Sequence, residues 1–535
     1  MRFPSQIREN RCFPSLLGKP ARSAIIAPSG PGTIKGGISV DTLALYQKYL
    51  REISKLNSAV ALLVWDQRTY IPKGGHEARA EVVGKLSTMA FEMSVSDELG
   101  GYLETLEGQD GLSEAQQASL RVVGKQYRRT KAIPATLFEQ YVIDRSKSEA
   151  AWEQAKESGD FAQFEPHLTK MVDYAKQFAE YYGYEDCAYD ALLDEFEPGM
   201  TCRELKTIIE PLREQLVPLL RRLMEDGTAP DGSRLAGSFP VDKQHELSLR
   251  ALRAMNYDFD HGRMDDTVHP FTIGIAPGDV RVTNRFIETM PLSGLMSAMH
   301  EGGHALYDLG MPAELHYLGL GNGASFGFHE SQSRMWENMV GRSLPFWKLF
   351  RDQFIEVFPQ LSSATAEDLY RAANVVQPSL IRVEADEVTY NLHIMVRFEI
   401  EQALFDGSLA VSDLPDAWNA AMEKYLGVRP SNNAEGVLQD VHWSGGMFGY
   451  FPSYMLGNLY AAQLYAAIRR DMPDLDERIA RGDTQALLDW TREKIHLMGQ
   501  IHEPADLIRK VTGEPLSPSY FLDYIEAKFF PIYGL

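Results

Sequence analysis

The residues most able to do chemistry are His300, Glu301 and His304, which stand together in the segment His300-Glu301-Gly302-Gly303-His304. On a helix, residues four apart are separated by about 40° and about 6 Å of rise. Two imidazoles at that spacing can close on one cation from a single face. Glu301 is one step round from His300, so it would meet a metal-bound water rather than the metal. A bound zinc ion lowers the pKa of its water to about 7, and a carboxylate beside it can then take the proton. An ordinary alternative is a pair of histidines at the edge of the core, since they flank the apolar residues Leu292, Leu295, Met299 and Leu306. Gly302 and Gly303 argue against it. Each costs about 1 kcal/mol relative to alanine inside a helix, so something must need a close approach there, a substrate or another backbone.

Such a centre needs a third ligand. The extended motif with a third histidine would require Gly at 307 and His at 310, but the chain has Tyr307 and Gly310. A later carboxylate is the remaining choice, with Glu314, Glu330 and Glu337 as candidates. Glu314 follows too soon after the helix stop to lie on a second helix. Glu330 and Glu337 share a helical stripe with Ser333, while Met335, Trp336, Met339 and Val340 lie on another. Periodicity therefore also allows both glutamates to sit on a solvated face, and it does not choose between them.

The elements that must position these residues are mainly helical. Pro291 suits a first helical turn, and Gly310 followed by Pro312 suits a stop. From about Leu43 onward apolar residues recur at steps of three and four, most clearly from Asp160 to Tyr182, with Asp160 placed as N-cap and Gly183 as C-cap. Glu204–Asp226, Trp347–Phe358, Ala364–Asn374 and Asp483–Met498 also read as helices. One stretch differs. The run from Phe271 to Phe286 alternates apolar and polar residues around Pro277-Gly278, the pattern of a β-hairpin directly before the metal helix. An extended peptide could pair with its edge, or the hairpin could be purely structural.

Composition narrows the partners. At 44% hydrophobic and 24% charged, the 535-residue chain has the balance of a soluble globular protein. The net charge of −21 would repel phosphate backbones and anionic membranes, which argues against nucleic-acid binding. No run of about 18 apolar residues occurs, so a membrane span is not expected. Cys12, Cys187 and Cys202 show no metal-type spacing, and one would be left over from any pairing; free thiols in a reducing compartment are expected. Residues 1–42 stand apart as a basic extension, with Arg2, Arg8, Arg11, Lys19, Arg22 and Lys35 against the single acid Glu9. That composition suits either an organellar transit segment or a disordered tail, so an intracellular location, cytoplasmic or organellar, is expected. Residues 43–535 form the second division.

Several separated motifs of this second division resemble the thermostable, Taq-type metallocarboxypeptidases. They are His269-Pro270-Phe271, Asp279-Val280-Arg281-Val282-Thr283, the zinc motif itself, His329-Glu330-Ser331-Gln332, Ile381-Arg382 with Ala385-Asp386, and Gly436 with Gln439-Asp440, His442 and Trp443. The early segment from Trp65 also fits, with Ile71 where methionine is common. The resemblance implies a mainly α fold: a single large helical domain with a deep substrate groove and a small hairpin beside the metal helix, usually a homodimer. It implies Glu330 as third ligand, one divalent metal per chain (zinc, with cobalt possible), and release of single residues from peptide C-termini with broad specificity. It points to Arg382 for the terminal carboxylate, whose ordinary alternative is an ion pair with Glu384, Asp386 or Glu387. His442, Tyr450 and Tyr454 become candidate donors to the substrate; a buried or core-lining role is the alternative for each. Asp279 and Arg281 receive no chemistry. Two rival functions remain, a helical zinc oligopeptidase cutting internal bonds and a non-catalytic peptide-binding protein.

Overall fold

The computed structural model describes residues 39–535; the basic extension expected at 1–42, as far as residue 38, lies outside the described residues. The helical part of the chain divides into two compact units. Among the described residues, the smaller runs to Val142 and includes Pro312–Gly321, and the larger comprises Ile143–Met311 and Asn322–Leu535. No helix is long and apolar enough to cross a membrane, among the described residues.

The smaller unit is built from the helices Ser39–Thr69, His76–Ser94, Asp97–Leu106 and Glu114–Ala132. Tyr46 and Leu50 of the first pack with Leu99, Leu103 and Leu106 of the third. Ser113 and Gln116 start the fourth with a reciprocal capping box. Glu314, expected to precede any second helix, lies on a five-residue helix of this unit, Ala313–Tyr317.

The larger unit carries the elements of chemical interest. Helix α1 spans Ala188–Phe196 and α2 spans Cys202–Glu225. The latter is opened by a capping box between Thr201 and Glu204 and buries Leu205, Leu212, Leu216 and Leu223 as one stripe. Helix α3, Val241–Ala254, leads to a three-stranded sheet of β1 (Met264–Asp266), β2 (Phe271–Ala276) and β3 (Asp279–Asn284). The expected hairpin is β2–β3, turning at Gly278 with φ of 83°, a conformation that costs glycine nothing. Strand β1, which the sequence did not signal, adds parallel to β3, so the order is β1-β3-β2 and β2 lies at an edge.

Helix α4, Pro291–Gly310, begins at Pro291 and stops at Gly310 as expected. It packs on α3 and on α5, Phe326–Arg334. Helix α5 runs on into a π-helical segment, Met335–Gly341. Farther along come α6, Tyr390–Asp406, and α7, Phe451–Asp471, which is apolar nearly all round and buried. The other expected helices are present with shifted ends: Glu165–Tyr182 after a 3₁₀ turn capped by Asp160, Leu344–Val357, Ala366–Ala372, and Gln485–Lys494 followed by a 3₁₀ turn.

Two glycines, Gly303 and Gly457, explain how close α5 comes to its neighbours, and Gly302 does the same for α3. A Cβ on Gly303 would lie 2.6 Å from the Gln332 carbonyl oxygen and 2.7 Å from Ser333 Cα, so another backbone fills this space. At Gly302 the neighbours are the side chains of Leu252 and Met255, beside the end of α3. On the opposite side of α5, a Cβ on Gly457 of α7 would meet Glu330 Cβ at 2.6 Å. The N-terminus of α5 is anchored as well. Ser325 Oγ accepts from Phe328 N and donates to Glu197 Oε1 at 2.6 Å. Glu197 also accepts from Gly327 N and from Tyr460 Oη. Burial pushes the Glu197 carboxyl up to about 7, against these three donors.

Two outcomes follow from this packing. Gly303→Ala gains about 1 kcal/mol of helix propensity, but it must displace backbone, an overpacking cost of about 1–3 kcal/mol. The variant will unfold at lower urea concentration than the parent and hold metal less tightly, as read by equilibrium dialysis. Glu197 gives a pH signature. The unfolded carboxyl titrates near 4.5 and the folded one at about 7. Its contribution is therefore complete below pH 4.5 and is lost as pH rises through 7, a change of about 3 kcal/mol. Glu197→Gln will flatten that part of the stability profile in urea melts taken between pH 4 and 8.

Candidate metal centre and carboxylate-binding cluster

Helix α4 projects His300 and His304 from one face, with ring centroids 4.9 Å apart. Helix α5 brings Glu330 against both. Its Oε2 lies 3.6 Å from His300 Nε2 and 3.4 Å from His304 Nε2. An ion with ligand bonds of about 2.0–2.1 Å in a tetrahedral shell would set its donors about 3.3–3.4 Å apart. The donor types and spacings thus fit a divalent cation held by two imidazoles and one carboxylate. Glu337, the other candidate, does not join them. The π-helical segment turns it toward the far side of His300, where Oε2 lies 3.0 Å from Nδ1. Neither glutamate is on a solvated face: Glu330 is 6% exposed, and the Glu337 side chain is 14% exposed.

The hydrogen bonds around the histidines select one tautomer for each. Glu337 accepts from His300 Nδ1–H, which leaves the Nε2 lone pair facing Glu330. His304 Nδ1 lies 2.6 Å from His329 Nδ1, and His329 Nε2 lies 2.8 Å from Asp308 Oδ1. With Asp308 accepting from His329 Nε2–H, His329 Nδ1 must accept from His304. His304 Nε2 is then also a lone-pair donor for a cation. Asp308 sits one turn beyond His304 on the same stripe as His300, a spacing visible in the sequence and not used there.

Charge is arranged to the same end. Arg334 Nε donates to Glu330 Oε1 at 2.6 Å, while Oε2 faces the histidines and accepts from Ser333 Oγ at 3.1 Å. Burial alone would raise Glu330, but Arg334 and the two histidines hold it well below the usual carboxylate range. Burial likewise opposes ionisation of Glu337, and Arg334, His300 and Arg342 outweigh it, bringing it to about 2. Burial lowers His304 to about 4, so its ring is neutral. At His300 burial is outweighed by Glu330 and Glu337, and its affinity for a proton is raised. Glu301 is buried, and burial raises its pKa. The Thr272 hydroxyl of β2 lies 2.7 Å from Glu301 Oε2 and 2.8 Å from the Glu301 carbonyl, tying the edge strand to α4.

Arg382, His442, Tyr450 and Tyr454 form a second cluster. Arg382 sits in a 3₁₀ turn and does not pair with Glu384, Asp386 or Glu387; its partner is Asp440. Arg382 Nε and Nη2 donate to Asp440 Oδ1 at 3.0 and 2.8 Å, and Nη1 donates to Tyr390 Oη at 3.0 Å. Arg397 of α6, which sequence reading did not single out, takes the other oxygen, Oδ2, through Nε at 2.7 Å. Two buried guanidiniums therefore share one carboxylate. His393 does not add charge, because burial and the two arginines depress it to about 3. The Tyr454 ring lies 4.7 Å from the Arg382 guanidinium, and its hydroxyl is 3.3 Å from His442 Nε2. His442 stacks on Tyr450 at 5.4 Å. Tyr390 joins the clusters, since Arg334 lies 4.3 Å over its ring while its hydroxyl accepts from Arg382. Asp279 and Arg281 form a bidentate pair on β3 at 2.8 and 2.7 Å.

Comparison with known proteins agrees with this chemistry. The family described as carboxypeptidase Taq (M32) metallopeptidase matches residues 45–529. The chain is 44% identical to carboxypeptidase 1 of Bacillus subtilis over 488 residues, 91% of this chain and 97% of that one. It is 45% identical to thermostable carboxypeptidase 1 of Thermus thermophilus over 510 residues, covering 92% and 99%. Among solved structures, an M32 carboxypeptidase from Deinococcus radiodurans superposes with a TM-score of 0.90 at 37% identity, covering 92% of this chain and all of that one. A mainly helical metal-dependent peptide hydrolase is what sequence, fold and comparison jointly describe, and the chain belongs to the Taq-type (M32) family of metallocarboxypeptidases.

Proposed function

We propose that the chain removes single residues, with broad specificity, from peptide C-termini, using zinc held by His300, His304 and Glu330. Cobalt suits the same donor set. A zinc ion there would act as a Lewis acid toward the scissile carbonyl and bring the pKa of water near 7. Glu301 takes the proton from the attacking water and later delivers it to the leaving amine. Its raised pKa brings it closer to the pH at which a base both accepts and returns a proton, and Thr272 fixes its Oε2. Strand β2, which lies at the edge of the sheet and carries Thr272, is positioned to pair with an extended peptide backbone.

The observation that carries exopeptidase action is the arginine pair. Arg382 and Arg397 place two positive charges on the single carboxylate of Asp440, a buried excess that a substrate carboxylate would neutralise. In this reading Arg382 grips the peptide terminus, and His442, Tyr450 and Tyr454 donate to the substrate and the developing oxyanion. We further read residues 1–42 as an extension outside a peptidase domain at 43–535, and the protein as an intracellular homodimer. Light scattering and N-terminal sequencing of the mature chain test these points.

Incubated with a defined peptide, the enzyme will give a ladder of single C-terminal losses by mass spectrometry, abolished by a chelator. Internal fragments instead would identify an oligopeptidase. Glu301→Gln will keep its metal but lose turnover by about 10³-fold or more; loss of metal with activity retained would sink the scheme. Arg382→Gln will lower kcat/KM by about 10²–10³ for peptides with a free terminus. The loss will fall mainly on KM, and amidated peptides will be poor substrates for parent and variant alike.

A further inference from the structure

A second group of metal-ligating side chains lies away from the histidines. Cys187 immediately precedes α1, Asp190 is in its first turn, and Cys202 opens α2. One ligand atom from each falls within 4.8 Å of the other two. Their separation in the sequence resembles no cysteine metal motif, and only the turn between α1 and α2 brings them together.

The group is organised beyond mere proximity. Asp190 Oδ1 accepts from Cys202 N at 2.7 Å and Oδ2 from Cys187 N at 3.3 Å. The carboxylate is thus held between the two cysteines, and each oxygen keeps a further lone pair. Gln402 of α6 directs its side-chain N–H onto Cys202 Sγ, a contact that suits a thiolate. Cys202 is buried and Cys187 half-buried, so a cation would be enclosed on one side and open to one further ligand on the other.

Two thiols side by side could instead serve as a redox pair. The carboxylate argues against that. An anion beside two thiols opposes the thiolate that thiol–disulfide exchange requires. Burial is the first cause holding both thiols protonated; with Cys187 and Asp190 adding to it, Cys202 is pushed up to about 12. A divalent cation reverses this balance. It takes the place of both thiol protons, which pass to solvent, and the nearby carboxylate becomes a favourable ligand.

We propose that Cys187, Asp190 and Cys202 form a second, structural metal site for a thiophilic divalent ion such as zinc. The site would clip the start of α1 to the start of α2 and so close the loop that carries Tyr189 and Glu197. Tyr189 donates to Glu401 at 2.7 Å, and Glu401 in turn accepts from Trp443 and from Gly449 N beside the His442 cluster. Glu197 holds the N-terminus of α5. The ion would therefore brace the element on which both clusters lean, without touching either.

The full-length chain, stripped with a chelator and titrated with Co²⁺ alone, tests this. The His300, His304 and Glu330 donors are nitrogen and oxygen, so a thiolate-to-cobalt charge-transfer band excludes the histidine centre, and its dependence on Cys187 and Cys202 separates it from the remaining thiol, Cys12. The expected result is that band together with a second bound equivalent and release of protons. Cys187→Ser and Cys202→Ser will each lose the band and the second equivalent while still binding cobalt at the histidines, which also shows that they fold. Glu330→Gln will keep the band and lose the other equivalent. Absence of the band in the parent, its persistence in both serine variants, or recovery of a Cys187–Cys202 disulfide from the purified protein would each overturn the assignment. If the histidine centre failed instead, the parent would show the thiolate band with a single equivalent.

Discussion

The arrangement depends on how closely α5 is clamped between α4 and α7. Glycines at 303 and 457 remove the side chains that would keep these helices at an ordinary distance, and interaxial spacing is set by the side chains at a contact. Glu330 lies in the resulting narrow gap, its Cβ against α7 and its Oε2 facing the histidines of α4. Small displacements of α5 would move Oε2 relative to both imidazoles at once. That explains why the start of α5 is fastened by Ser325 and Glu197 and why Arg334 fixes the Glu330 carboxylate from its last turn. The helix-propensity cost of a mid-helix Gly303 accompanies the close approach that brings Glu330 against the two histidines.

Two buried carboxylates divide their oxygens in the same way. Glu330 gives Oε1 to Arg334 and Oε2 to the histidines. Asp440 gives Oδ2 to Arg397 and Oδ1 to Arg382. In both, one oxygen is held by one arginine and the other faces a different basic group. Burying a carboxylate without such a partner would push it toward the neutral form. Here the guanidiniums reverse that direction, and Glu330 and Asp440 are both held well below their ordinary values despite burial. The scaffold arginines thus keep the site ionised as well as in place.

Much of this was legible in the sequence. The four-residue spacing of the histidines, the start at Pro291, the stop at Gly310 and the hairpin at Pro277-Gly278 all rest on local rules, and each appears as expected. The unfavourable glycines also announced a close contact; their partner proved to be helix backbone at Gly303 and side chains at Gly302. What was hidden depends on distant pairs. Asp440 as the partner of Arg382, Arg397 beside it, and Thr272 on Glu301 join segments that no local periodicity connects. Strand β1 was missed because three residues rich in aspartate carry no alternating pattern, and its pairing with β3 is parallel and non-local. The face that Glu337 takes is hidden from the sequence because a π-helical turn breaks the 3.6-residue period.

The two clusters must also be coordinated with each other. On the proposed reaction, the attacked carbonyl and the terminal carboxylate belong to adjacent positions of one peptide, so the metal centre and Arg382 have to keep a fixed separation. Flexible side chains could not set it alone. Tyr390 supplies a rigid ring between them, with Arg334 4.3 Å from its face and Arg382 bonded to its hydroxyl. Arg334 is itself tied to Glu330 and Arg382 to Asp440, so the connection runs from one anchored carboxylate to the other through short, charged or charge-assisted contacts. Tyr390 is also the first residue of α6, the helix that carries Arg397. A single helix therefore supplies both the spacer between the clusters and the second arginine on Asp440. On the proposed reaction, the spacing an exopeptidase needs would therefore be set at the start of α6 rather than in the helix that carries the histidines, where the sequence draws the eye first.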